Sequence, residues 1–285
     1  MALLRFPSAR GAAIRQLQVW SAWQSDSPVS REHRTRAVSA RTAPPSSARR
    51  LVCAQMDYTM SVLALDPLDL AALLCSRVCH DVISPVGAIV NGLEVLEEET
   101  DEDMRGFALD LIKRSARTAS ARLQFCRLAF GAAGSAGALI DTGDAESVVR
   151  GLLADDKMKI VWTAPRLLMP KNKVKLVLNL CLIASATVPR GGVIEVTITG
   201  DGGDATTIRI DARGPNARLA HHVPALVAGT PENDAVDAHG IQAFYTGLVA
   251  RTALMDVALE ANPEGVVITA FTAQIAAAAS DQVIA

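Results

Sequence analysis

The residue in this 285-residue chain best suited to chemistry is His80, in the run His80-Asp81-Val82-Ile83-Ser84-Pro85-Val86. The surrounding sequence has the period of one long amphipathic helix. At about 100° per residue, Leu74, Val78, Val82, Pro85, Val86, Ile89, Leu93 and Leu96 fall within roughly a third of the circumference, the stripe of a core-facing helix. His80 falls about 180° from the centre of that stripe, so its imidazole should stand in water. Arg77 precedes it by one turn, and Ser84, Gly87 and Asn91 follow at i+4, i+7 and i+11 on the same face. An imidazole is neutral and nucleophilic near pH 7 without special activation, and Asp81 is placed to hold one ring N–H. The small residues along the ridge would let a partner protein approach closely.

A solvent-facing His on a helix is usually a surface residue with no role. Here, however, Pro85 removes a helical hydrogen bond to the Asp81 carbonyl, and Gly87 and Gly92 are further helix breakers. Three such residues beside one His suggest a gain other than stability. A metal site is disfavoured: in Cys75-x3-Cys79-His80 the two cysteines point to the apolar side and His80 points away, so tetrahedral ligation fails. His221, His222 and His239 fall in loop-like sequence without fitting partners and are read as surface residues.

The positioning elements follow from caps and periods. Asp66-Pro67-Leu68-Asp69 opens a helix running to about Glu97. Thr100-Asp101-Glu102-Asp103 opens a second, to about Phe130, after a connection short enough to make an antiparallel hairpin. Two helices cannot enclose so wide an apolar stripe, which predicts dimerisation into a four-helix bundle. Gly131 to Gly137 reads as a linker. Beyond it, strands are expected at Met158–Trp162, Val193–Thr199, Thr206–Ile210, Asp256–Glu260 and Val266–Phe271, with helices over Lys171–Thr187 and near Gly240–Met255. This mixture indicates a two-layer α/β sandwich. The expected organisation is residues 1–60 as a leader, 61–135 as the helical hairpin and 136–285 as the α/β domain.

The chain is 50% apolar and 20% charged, with a net charge of −2. Residues 1–55 carry nine Arg and two acids (Asp26 and Glu32), leaving the remainder about −9, which argues against nucleic-acid binding by the folded part. Five scattered cysteines suit reduced thiols better than a disulfide framework. No run of 18 apolar residues exists, so no transmembrane helix is expected. Residues 1–57 read as disordered; an over-extended start, with Met56 or Met60 as the first residue, is preferred to a transit peptide.

A helical hairpin carrying His-acid-apolar-x-x-Pro before an α/β sandwich resembles the catalytic domains of histidine kinases, whose sandwich is of the Bergerat type and binds ATP. The boxes that would bind nucleotide depart from that pattern. Leu178-Asn179-Leu180 through Pro189-Arg190-Gly191-Gly192 is similar to the kinase N-box helix and its closing turn. The metal-binding Asn position falls on Ile183, and the basic position on Ala186. Ile210-Asp211-Ala212-Arg213-Gly214-Pro215-Asn216 looks like the Asp-x-Gly-x-Gly loop, with the adenine-reading Asp at Ala212 and the second Gly at Asn216; Asp211 stands one place away. Gly240-Ile241-Gln242-Ala243 occupies the Gly-x-Gly-x phosphate loop, with Gln242 for its second Gly. Ile cannot ligate Mg²⁺, which needs oxygen. A degenerate sandwich joined to an intact His, in the run from Leu73 to Ile89 with Asn91-Gly92-Leu93-Glu94, resembles the ChpT-type histidine phosphotransferases of bacterial cell-cycle phosphorelays. The likeness spans about Leu65 to Phe271.

The resemblance implies a phosphoryl shuttle. His80 would take phosphate from the receiver domain of a hybrid kinase (CckA-like) and pass it to response regulators (CtrA-like, CpdR-like). Asp81 would orient the ring, and Arg77, Ser84, Gly87 and Asn91 would meet the receiver. Lys113, Arg114 and Arg117 are candidates for attracting an acidic partner. The receiver would supply Mg²⁺; no ATP, metal, nucleic acid or membrane is expected, and the setting would be a cytoplasmic homodimer. Two other readings stay open: an interaction scaffold without a phosphorylated state, for which His80→Ala would be silent, and an ATP-dependent kinase with a cryptic nucleotide site, which nucleotide titration would reveal.

Overall fold

The computed structural model describes residues 62–131 and 137–272. The readings made for the leader, for most of the glycine linker and for the C-terminal tail lie outside these residues. The hairpin consists of α1 (Pro67–Glu98) and α2 (Glu102–Ala129). Asp66 caps α1 by accepting from Leu68 N at 2.8 Å, with Pro67 at the first position. Asp101 caps α2 through Met104 N at 3.0 Å. Between them, Arg105 donates to the carbonyls of Leu96 and Glu99, satisfying the C-terminal end of α1.

Gly92 is where the two helices approach closely. A Cβ there would stand 2.7 Å from Ile112 Cγ1, so this glycine serves the packing of the hairpin. Gly87 is different: a Cβ would meet nothing within 4 Å. Of the three breakers beside His80, Gly92 therefore has a packing reason. By length and composition α1 is apolar enough to cross a membrane, although it holds no unbroken run of 18 apolar residues. In this fold it lies along α2 and carries Arg77, His80 and Asp81.

The apolar stripe of α1 is only half covered within the chain. Cys75, Cys79, Ile83, Val86, Val90 and Leu93 share one side of the helix and are exposed, as are Met104, Phe107 and Leu123 of α2. The cysteines thus lie on the apolar side as expected, yet uncovered.

The sandwich begins with β1 (Leu139–Asp141), α3 (Thr142–Leu153), β2 (Met158–Thr163), β3 (Leu168–Pro170) and α4 (Lys171–Thr187). It continues with β4 (Gly192–Thr199), β5 (Thr207–Arg213), α5 (His222–Ala228), α6 (Ile241–Thr252), β6 (Met255–Asn262) and β7 (Gly265–Thr272). The five-stranded sheet has the order β2-β4-β5-β7-β6, with β2 and β4 parallel and the other pairs antiparallel; β1 and β3 form a separate two-stranded pair. Helix α4 is the core element, with Leu176, Leu178, Leu180 and Ala184 fully buried. It packs against Ile194, Ile208, Ile210 and Ile268 of the sheet.

The hairpin is seated on the sandwich by Phe125 and Ala129, which belong to the same core, and by an edge-to-face contact of Phe130 with Tyr245 at 5.5 Å. Asn179 joins the two parts: its amide donates to Ala129 O at 3.3 Å, and its own carbonyl accepts from Gln242 at 3.0 Å. Its side-chain oxygen is buried without a partner.

Four elements were not anticipated: β1, α3, β3 and α5. Strand β5 also runs three residues past the expected end at Ile210. Asp211 and Arg213 extend its alternation, so this stretch is strand and not loop.

Candidate phosphoacceptor site

His80 is exposed on α1, with 70% of its side chain accessible. Its Nδ1 lies 3.3 Å from Asp81 Oδ1, leaving Nε2 turned to solvent as the free ring nitrogen. Asp81 Oδ2 is held in turn by Arg77 Nε at 3.0 Å, an i,i+4 pair along the helix. A carboxylate fixed from one side by a guanidinium presents its other oxygen to the imidazole. Arg77 is therefore engaged with Asp81 as well as accessible to a partner, which the sequence did not reveal.

The backbone at this point is repaired from the second helix. Pro85 has no N–H to give the Asp81 carbonyl four residues earlier. Arg122 of α2, 41 residues away, donates to that carbonyl. This explains how the helix runs unbroken through Pro85, which is itself buried. Cys126, one turn beyond Arg122, has its thiol pushed up to about 11 from 9.0, chiefly by burial and then by the charge of Asp81, against the lowering effects of Arg77 and Arg122.

Ser84 and Asn91 are exposed and Gly87 is partly so, forming one accessible ridge with His80. On α2, Lys113 pairs with Asp110 at 3.6 Å at the surface. Among the described residues no group of three or more His, Cys, Asp or Glu side chains could hold a metal.

The nucleotide-like boxes have a definite geometry. Ile183 is buried in the last turns of α4. Ala212 faces the helices and is fully buried, whereas Asp211 points to the opposite face of the sheet, as alternation along a strand requires. There it accepts two bonds from Arg209 at 2.8 Å each and lies 3.6 Å from Arg213. Asn216 keeps a glycine-like φ of 59°, which asparagine tolerates better than most residues. Where the phosphate loop would be, Asp237 Oδ1 accepts from His239 N at 3.0 Å and Gly240 N at 2.7 Å. The two amides just before α6 thus already have an internal carboxylate, and Ile241 N donates to the Asp237 main-chain carbonyl at 2.9 Å. His222 and His239 are exposed, as surface residues are expected to be; His222 begins α5, His239 lies in a turn, and both border a cavity between α1 and the sandwich.

Residues 142–265 match the family described as "Histidine phosphotransferase C-terminal domain". The chain is 49% identical over 209 residues to "Protein phosphotransferase ChpT" of Brucella abortus (strain 2308), covering 73% of this chain and 98% of that protein. The chain belongs to the ChpT family of phosphotransferases. Its fold agrees with a solved bacterial phosphotransferase at a TM-score of 0.67 and 45% identity, over 74% of this chain and all of that one. Its architecture is the one expected from sequence, a helical hairpin followed by an α/β domain.

Proposed function

We propose that this phosphotransferase is the histidine relay of a multistep phosphorelay, with His80 carrying the phosphoryl group between receiver-domain aspartates. The observation that carries the reading is the exposed His80 ring, with Nδ1 against Asp81 and Nε2 open. The Nε2 lone pair attacks the phosphorus of a receiver's aspartyl phosphate. The N–P bond forms as the acyl phosphate P–O bond breaks, and the receiver's carboxylate leaves. The ring keeps its Nδ1 proton and becomes cationic, and the Asp81 carboxylate stabilises that charge. The reverse steps on a second receiver return the ring to its neutral form.

Phosphoryl transfer through a loose, in-line transition state relies on positioning and charge neutralisation. A receiver that brings Mg²⁺ and its acidic pocket needs from this chain only an accessible imidazole and a matching surface. That surface is Ser84, Gly87 and Asn91 with Arg77. An apolar Ile183 and the amides of His239 and Gly240, taken by Asp237, favour a sandwich that works without ATP. The donor is read as the receiver of a CckA-like hybrid kinase, and the acceptors as CtrA-like and CpdR-like regulators, in the cytoplasm. The exposed apolar stripe of the hairpin favours a homodimeric four-helix bundle.

The test is incubation with a phosphorylated receiver. An acid-labile, base-stable label at His80, absent in His80→Gln and absent with ATP alone, is the expected result. A label elsewhere, or unchanged transfer by His80→Gln, would overturn the proposal.

A further inference from the structure

A cavity of about 240 Å³ lies between α1 and the sandwich, and its ionisable groups are of one sign. Arg77, Arg218, His222 and His239 line it, and no carboxylate does. This runs against the acidic balance of the folded part of the chain. Among the described residues the side chains of Arg218, His222 and His239 have no hydrogen-bonded acceptor, and Arg77 gives only Nε to Asp81. The two guanidiniums attract an anion; the nearest carboxylates are Asp81, which holds Arg77, and Glu232 and Asp237 of an adjoining cavity that His222 and His239 also border.

The arrangement has two zones. Arg218, His222 and His239 are exposed and form the rim, while Ile183, Leu226 and Ala243 are buried beneath them. A ligand fitting both zones has an anionic head and a small apolar body. Recognition falls to side chains, since the amides of His239 and Gly240 are occupied by Asp237. With two guanidiniums as cations and two imidazoles as hydrogen-bond donors, the rim suits a dianion better than a monoanion.

We propose that this cavity binds a small organic monophosphate without a metal ion. A head group taking the free nitrogens of Arg77 draws on the guanidinium that fixes Asp81, so occupancy is felt at His80. The binding site is independent of the relay; only its consequence for phosphoryl transfer rests on that reading.

The test is an NMR titration of the full chain with phenyl phosphate in excess EDTA, following the ring C2–H signals of His222 and His239. Saturable shifts are expected, with affinity reduced about tenfold or more in Arg218→Gln, a loss of ~1.4 kcal/mol. Benzoate should bind at least about tenfold more weakly, since charge-assisted bonds are lost with the second negative charge. No saturable shift, equal affinity for benzoate, a requirement for Mg²⁺, or unchanged binding by Arg218→Gln would each overturn the site. The His80→Gln variant should bind phenyl phosphate as the parent does. Binding without any phosphoryl transfer would thus refute the relay and leave the site standing.

Discussion

The guanidinium of Arg122 donates to the main-chain carbonyl of Asp81, the acceptor that Pro85 has no N–H to serve. The second helix thus supports the backbone beside His80 through a single side chain. Removing Arg122 while keeping Pro85 strands a partly buried carbonyl, at a cost of about 1–3 kcal/mol. Urea unfolding of Arg122→Ala, Pro85→Ala and the double variant should show strong coupling, because alanine at 85 restores the helical donor. Additive losses would refute the account.

Gly87 and Gly92 are five residues apart and should respond oppositely to alanine. At 92 the new methyl meets Ile112 at 2.7 Å, so destabilisation of about 1–3 kcal/mol is expected. At 87 it meets open space, so the helix should gain roughly 0.5–1 kcal/mol while phosphoryl transfer slows through the receiver's closer approach being blocked. Thermal unfolding and a transfer assay on both variants distinguish the two roles.

The uncovered stripe on α1 predicts self-association through the hairpin. Val90→Asp and Leu93→Asp place a charge on side chains about half exposed in the single chain. Both should convert dimer to monomer by light scattering at concentrations where the parent is dimeric. A parent that is monomeric throughout would sink the bundle.

The thiols should separate by environment. Cys181 is fully buried and pushed up to about 12, and Cys126 to about 11, both chiefly by burial; Cys75 and Cys79 are exposed. Among the thiols of the described residues, alkylation near pH 8 should label Cys75 and Cys79 and spare Cys126 and Cys181, as mass spectrometry will show. Because the folded pKa values lie above the ordinary 9.0, the unfolded chain loses these protons first. The stability they contribute is intact below about pH 9 and falls as pH rises towards 11–12.

The hairpin was legible because its signals are local: two acid caps, a Pro at the first position and a sustained helical period. Helix α4 was legible from its long Leu- and Val-rich run closed by the turn at Pro189 to Gly192, its span of Lys171–Thr187 agreeing with the sequence reading. Helix α3 was missed although its signals are local too: Asp141 caps it through Gly143 N at 2.7 Å, and Ala145, Val148, Val149, Leu152 and Leu153 fall at i, i+3, i+4, i+7 and i+8. Strands β1 and β3, three residues each, are too short to show a period. The Arg122 contact spans 41 residues and leaves no local trace. The place of Asp211 could be settled only by knowing that β5 continues to Arg213, which fixes its side of the sheet.

Gly92 has a mechanical consequence. The tight seat of Ile112 against it locks the axial register of α1 and α2, so the height of His80 above the sandwich is set by the hairpin itself. Different receivers arriving at the same stalk would meet the imidazole at one fixed altitude. Discrimination among them must then come from what lies around that level, not from sliding the helices to suit each visitor.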